Sequence, residues 1–437
     1  LVFKANFLIA QTFSNVAPSQ GINIITNTAL VNGAGVSFYD FNNDGWDDLS
    51  FVLEGFPHEF YLNNMGVYQP ASFSIPNSRQ AKQLNWVDYD NDGVLDIFVS
   101  KYAAQNQLFK NDGNFNFTDV TVSAGISNDI AFSWGSSFGD YNKDGFLDLY
   151  VCKYALGVGD TNNLNDVNNL YRNNGDGTFT DVTFSAGVAD GIKASFCAVW
   201  FDYNKDTWPD LYVVNDRASD GTLFRNNGDG TFTDVTVSAH LTAILSNFMS
   251  GSVADYDNDN DLDLFVSNTS GTTGQSYAPY DLPMLFNNQG DGTFIDVVDI
   301  NNLYMENTTW GGVWIDFDND GWQDLYVATD HKTQSFQSVN SYFFRNRTPN
   351  NFELDTSIFL GNQQAQSYAA ARGDFNNDGF YDLVVQNEEF TTPFLLENSG
   401  NNNNYIKITL EGTVSNRFAI GSWIKVYNNG IIQSQYT

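Results

Sequence analysis

An all-β chain closed as a seven-bladed β-propeller is the fold class this sequence predicts, and three observations predict it. An acidic ten-residue loop, first met as Asp40-Phe-Asn-Asn-Asp-Gly-Trp-Asp-Asp-Leu49, recurs seven times. Its copies begin 48 to 62 residues apart, which is room for four short strands and their turns. Runs rich in aromatic and β-branched residues flank the copies, and helical periodicity is absent.

The elements follow in chain order. Leu1 to Gln11 is apolar and is read as the remnant of a secretory signal peptide, with the propeller over 12–400. In each unit one strand precedes the acidic loop, as in Ser133-Trp-Gly-Ser-Ser-Phe-Gly139 and Trp310-Gly-Gly-Val-Trp-Ile315. A second follows it, as in Asp148-Leu-Tyr-Val-Cys152 and Asp324-Leu-Tyr-Val327. A hairpin supplies the other two, written Leu170-Tyr-Arg-Asn-Asn-Gly-Asp-Gly-Thr-Phe-Thr-Asp-Val-Thr183 and echoed at 223–236 and 285–297. Its Asp-Gly pair tolerates positive φ, so it reads as a tight turn and not as a further metal site. The seventh unit runs through Pro393 to Gly400 without an outer strand, and Thr12 to Ile22 matches the missing piece. That segment is expected to pair with the last unit, joining the ends of the chain and removing an exposed edge.

Composition narrows function. Fifty-two Asp and Glu against nineteen Lys and Arg give a net charge of −33, which repels nucleic acid and anionic lipid and favours cations as partners. With 42% hydrophobic and 16% aromatic residues the chain can still bury a large core. No run approaches the ~20 apolar residues of a membrane helix. Cys152 and Cys197 fit either one bridge or two buried thiols. The three histidines, His58, His240 and His331, fall in different units, and no nucleophile elbow, His-Glu-x-x-His helix or phosphate loop is present. The chain is therefore expected not to be an enzyme; the alternative is a propeller lyase or hydrolase acting on polysaccharide.

Within the loop, oxygen-bearing side chains stand at positions 1, 3, 5 and 9, with Gly usually at position 6. Alternate residues of a tight loop point the same way, so their oxygens converge, and hard carboxylate and amide oxygens suit Ca²⁺ where no His or Cys is offered. The predicted ligands are Asp40, Asn42, Asp44 and Asp48 in loop 1; Asp88, Asp90, Asp92 and Asp96 in loop 2; and Asp140, Asn142, Asp144 and Asp148 in loop 3. Loop 4 offers Asp202, Asn204, Asp206 and Asp210, and loop 5 Asp255, Asp257, Asp259 and Asp263. Loop 6 offers Asp316, Asp318, Asp320 and Asp324, and loop 7 Asp374, Asn376, Asp378 and Asp382. The position-7 carbonyls of Trp46, Val94, Phe146, Trp208, Asp261, Trp322 and Phe380 are further candidates. Up to seven Ca²⁺ are expected. Loop 4 is the weakest, because Thr207 stands where Gly is wanted and Pro209 follows; in loop 5, Asn260 replaces the Gly.

These loops and their flanks resemble the FG-GAP or VCBS repeats of integrin α-subunit propellers and bacterial secreted proteins. Beyond them, Asn404 to Val426, with its string Ser415-Asn-Arg-Phe-Ala-Ile-Gly421, resembles the start of the ASPIC/UnbV region of the cartilage acidic protein family, so 401–437 is read as an incomplete copy of it. The resemblance implies a secreted or cell-surface, calcium-binding adhesion or recognition module for a glycan, protein or surface polymer. The polar stretches 153–169, 268–283 and 328–341, with Arg217, Tyr280, His331 and Lys332, are the candidate ligand contacts.

Overall fold

The computed structural model describes residues 11–437 apart from 26–34, 77–79, 127–129, 156–166, 218, 243–246, 270–281, 306, 333–337, 350, 362, 389–390 and 429–430. The signal-remnant reading of the N-terminus thus falls almost wholly outside the described residues. The fold is all-β and propeller-like, and its repeated unit is a four-stranded antiparallel meander. One unit comprises Ala194–Phe201, Asp210–Asp216, Thr222–Asn226 and Phe232–Asp234, paired in that order. The outer strand is short throughout, and a single helical turn, Thr183–Ala186, follows one of them.

Two sequence features bound the central strands of every unit. The second strand opens on the position-9 Asp, as at Asp48–Phe51, Asp148–Lys153 and Asp382–Asn387. The third strand ends on an Asn, as at Glu59–Asn63, Asn169–Asn173 and Phe394–Asn398. First strands after the first unit carry register shifts, for example between Ser195 and Cys197 and between Phe248 and Gly251, which locally increase the strand twist.

The core lies between units. Phe201, Tyr212 and Leu223 of one unit pack with Phe248, Leu264 and Phe286 of the next, all buried. Phe38, Leu49 and Phe51 of the first unit share a cluster with Phe375, Val384 and Leu395 of the last, and Ala17 and Ile22 join it. Close approach requires Gly139, where a Cβ would lie 2.7 Å from the Trp200 ring. Phe13–Asn15 pairs antiparallel with the last third strand, in the register Phe13 to Asn398, and on its other side parallel with Phe359–Leu360, a strand the sequence did not announce. Cys152 and Cys197 are free thiols, and burial pushes Cys197 up to about 12. Near the C-terminus, Trp423–Asn428 and Ile431–Tyr436 form a separate hairpin.

Candidate metal centre

The backbone of the acidic loop is wound by its own side chains. The position-1 carboxylate accepts the N–H groups of positions 5 and 6, at 3.0 and 2.7 Å in loop 1, and the pair recurs in loops 3, 4, 6 and 7. The position-5 carboxylate accepts the N–H of position 7 in every copy. Positions 4 and 6 are both left-handed. Position 4 is therefore Asn or Lys, with φ between +53° and +60°, and Thr207 and Asn260 hold position 6 at +73° and +71°. Thr207 keeps the loop's hydrogen bond to Asp202, at 2.9 Å, at the cost of a conformation a β-branched residue resists.

Position 9 carries a structural task alongside the ligand role expected for it. Its Oδ1 accepts the N–H of the Asn that ends the third strand, at 2.7 to 2.8 Å in all seven units. In loops 3 to 7 its Oδ2 accepts the N–H of position 2. The Asn then reaches across to the neighbouring unit. Its Nδ2 donates to the position-2 carbonyl of the preceding loop, Asn173 to Tyr89, Asn226 to Tyr141, Asn288 to Tyr203, Asn346 to Tyr256 and Asn398 to Phe317; Asn63 reaches Phe375 in the same way. Position 4 makes a second link, from Asn91 to Gly145 O, Asn258 to Gly321 O, Asn319 to Gly379 O and Asn377 to Gly45 O. The sequence reading missed both links, although an Asn recurring after every third strand was the available signal.

The predicted oxygens converge unevenly. Asp88, Asp90 and Asp96 bring carboxylate oxygens within 4.8 Å of one another, as do Asp255, Asp257 and Asp259, and Asp316, Asp318 and Asp320. These are the loops with Asp at position 3. Among the described residues, position 9 joins such a group in loop 2. In loops 1, 3, 4 and 7, the Asn at position 3 donates its amide to the position-5 carboxylate at 2.9 to 3.0 Å.

Several of these oxygens are buried with no hydrogen-bond partner: Asp48 Oδ2, Asp88 Oδ1, Asp96 Oδ2, Asp255 Oδ1 and Asp318 Oδ1. An orphaned buried carboxylate oxygen is costly unless a cation meets it. Burial, with neighbouring carboxylates adding to it, pushes Asp96 and Asp210 up to about 8 and Asp48 and Asp316 to about 7. The donors are hard oxygens, so the residues fit a hard divalent ion. The hairpin aspartates differ. Asp176 is exposed and accepts Thr178 N–H and O–H at 3.0 and 2.6 Å, the plain turn predicted for it.

The C-terminal segment lies over the loop face. A Cβ on Gly93 would come 2.8 Å from Arg417, one on Gly145 2.7 Å from the Val414 carbonyl, and those on Gly379 and Gly321 would collide with Tyr405 and Gln433. Ser434 Oγ donates to Asp255. Among the predicted ligand contacts, Arg217 is exposed and stacks on Tyr154 at 4.9 Å, donating to its hydroxyl at 3.0 Å. Tyr280 lies outside the described residues, and His331 and Lys332 end the strand Asp324–Lys332.

A model of the FG-GAP-like repeat matches residues 40–99, 88–151, 202–266 and 316–385, more than half of the chain. The chain belongs to the FG-GAP repeat family. This FG-GAP protein is similar to cartilage acidic protein 1 of Homo sapiens, 23% identical over 328 residues that cover 68% of the chain and 47% of the relative. The Mus musculus protein of that name is likewise 23% identical, with 68% and 48% covered. The FG-GAP chain spans about half the length of these relatives. Among solved structures it is similar to BBS1N in complex with ARL6DN (8% identity, 88% of this chain and 98% of that chain, TM-score 0.48). It is also similar to YCF48 bound to D1 peptide (7%, 85% and 94%, TM-score 0.48).

Proposed function

We propose that the units close into a seven-bladed propeller, residues 12–400, whose acidic loops each hold Ca²⁺, and that the protein is a secreted recognition module. The observation that carries this reading is the set of buried, unpartnered carboxylate oxygens inside a loop repeated seven times. When bound, the ion supplies a positive charge that ties positions 1, 3 and 5 together and relieves their mutual repulsion. The chain's own residues supply the rest. Position 1 winds the loop, position 9 fixes it to the third strand, and the strand's Asn fixes it to the preceding unit. Loop 4 is the weakest site, since Thr207 strains the turn and Asn204 leaves its quartet with three carboxylates.

Extracellular Ca²⁺ modules bind at about 10⁻⁴ to 10⁻³ M, so such sites suit a location outside the cell. Recognition is favoured over catalysis because the carboxylates most strongly shifted by burial are the loop ones, which act on backbone and metal. With residues 401–437, which we assign to the start of an ASPIC/UnbV region, lying over the loop face, the opposite face is the one open to a glycan or protein ligand. Trp134, Phe196, Trp310 and Tyr368 follow one another at ring distances of 4.7 to 6.0 Å, with Trp134 and Trp310 buried and Phe196 and Tyr368 half-buried. Equilibrium dialysis against 1 mM Ca²⁺ followed by elemental analysis tests the metal reading. About six or seven ions per chain is the expected result, and none overturns it.

A further inference from the structure

One strand position meets the third loop residue in several units, and its charge differs from unit to unit. The ladder sets Phe109 opposite Ile97, Phe286 opposite Leu264, Phe344 opposite Leu325 and Leu396 opposite Leu383. The next residue of each third strand therefore stands beside the position-9 Asp, at the mouth of the loop. In loop 2 it is Lys110, which pairs with Asp90 and, at 3.0 Å, with Asp92. In loop 6 it is Arg345, only 8% exposed, whose Nη1 lies 3.1 Å from Asp318 while its Nε holds Asp355 at 2.7 Å. In loop 5 it is the neutral Asn287, whose amide donates to Asp257 at 2.9 Å. In loop 7 it is Glu397, whose Oε1 accepts from Asn376 at 3.5 Å.

Loops 2, 5 and 6 carry four aspartates each in their quartets, so carboxylate number alone would make them equal. We propose that this strand residue grades the sites. Lys110 and Arg345 are built-in counter-ions that a divalent ion must displace from the position-3 carboxylate, Asn287 brings no charge to loop 5, and Glu397 adds an oxygen to loop 7. The proposal rests on the Ca²⁺ reading above. Loops 2 and 6 are nonetheless built as sites and not as closed ion pairs. Asp88 Oδ1, Asp96 Oδ2 and Asp318 Oδ1 remain buried and unpartnered beside the resident cation. Loops 5 and 7 accordingly fill at lower Ca²⁺ than loops 2 and 6.

Calorimetric Ca²⁺ titration of the full chain, paired with an ion count after dialysis, tests the grading on the parent and three variants. Lys110→Met removes the counter-ion from loop 2 and tightens one ion by about tenfold, whereas Asn287→Lys installs one in loop 5 and weakens one ion by a similar factor. Glu397→Gln, nearly isosteric, weakens one ion of the strong set. Unfolding in EDTA checks that each variant folds, and Lys110→Met, a change at a partly exposed side chain, carries the test if Asn287→Lys does not. A parent chain that binds no Ca²⁺ overturns both the metal reading and the grading. A parent that binds, with variants whose isotherms coincide with it, overturns the grading alone.

Discussion

At the scale of the residue, the Asn that ends each third strand does more than any single loop carboxylate to hold neighbouring units together. Asn226 is buried, donates to Tyr141 O at 2.8 Å and Pro209 O at 3.0 Å, and accepts from Gly228 N–H at 3.0 Å. Asn226→Ala leaves those three backbone groups without their partner, so a loss of about 2 to 4 kcal/mol is expected in urea unfolding. Asn227→Ala, one residue on and exposed, is the control, with an effect within about 0.5 kcal/mol. Equal losses in the two variants would show that the inter-unit link is not what stabilises the structure. Position 4 shows what the sequence concealed. Its Asn or Lys was legible only as a polar residue, because the need for a left-handed backbone arises from the winding of positions 1 and 5 around it.

At the scale of the element, the acidic loop was legible because its ligand pattern is local. The strands beside it were legible from residue type. The bond from position 9 to the third strand was not, since the Asn it accepts from is brought near only by strand pairing. The same burial gives the metal-free loops a pH dependence. Asp96 and Asp210 stand at about 8, and Asp48 and Asp316 at about 7, each above the value an unfolded carboxyl has. A raised folded-state value means the folded chain binds the proton more tightly. Stability is therefore gained as pH falls through about 8 to 7 and is lost as pH rises through that window. In EDTA the unfolding midpoint should rise as pH is lowered from about 8.5 to 6.5, whereas saturating Ca²⁺, which replaces the protons, should flatten the profile. A midpoint in EDTA that falls over this window would contradict the burial assigned to these aspartates.

At the scale of the whole molecule, the period of the loops predicted repeated four-stranded units, and the units are there. The match between Thr12–Ile22 and an outer strand was also readable, and Phe13–Asn15 does lie beside the last third strand. The placement of residues 401–437 was not readable. Arg417, Val414, Tyr405 and Gln433 rest on the position-6 glycines of loops 2, 3, 7 and 6, contacts between residues far apart in sequence. Those glycines thus serve twice, for the turn and for the segment packed on it. Hydrogen bonds join loop to loop, and the C-terminal segment packs on several loops.

Thermal unfolding of the full chain in EDTA, in millimolar Mg²⁺ and in millimolar Ca²⁺ tests the central claim most directly. Each site held at 100 times its dissociation constant adds about 2.7 kcal/mol to the folded state. The account therefore predicts a large rise in midpoint with Ca²⁺, shared little by Mg²⁺, which sheds its waters reluctantly and is seldom held by all-protein oxygen sites. Identical midpoints in all three solutions would contradict it and leave the seven loops as turns wound by their own aspartates.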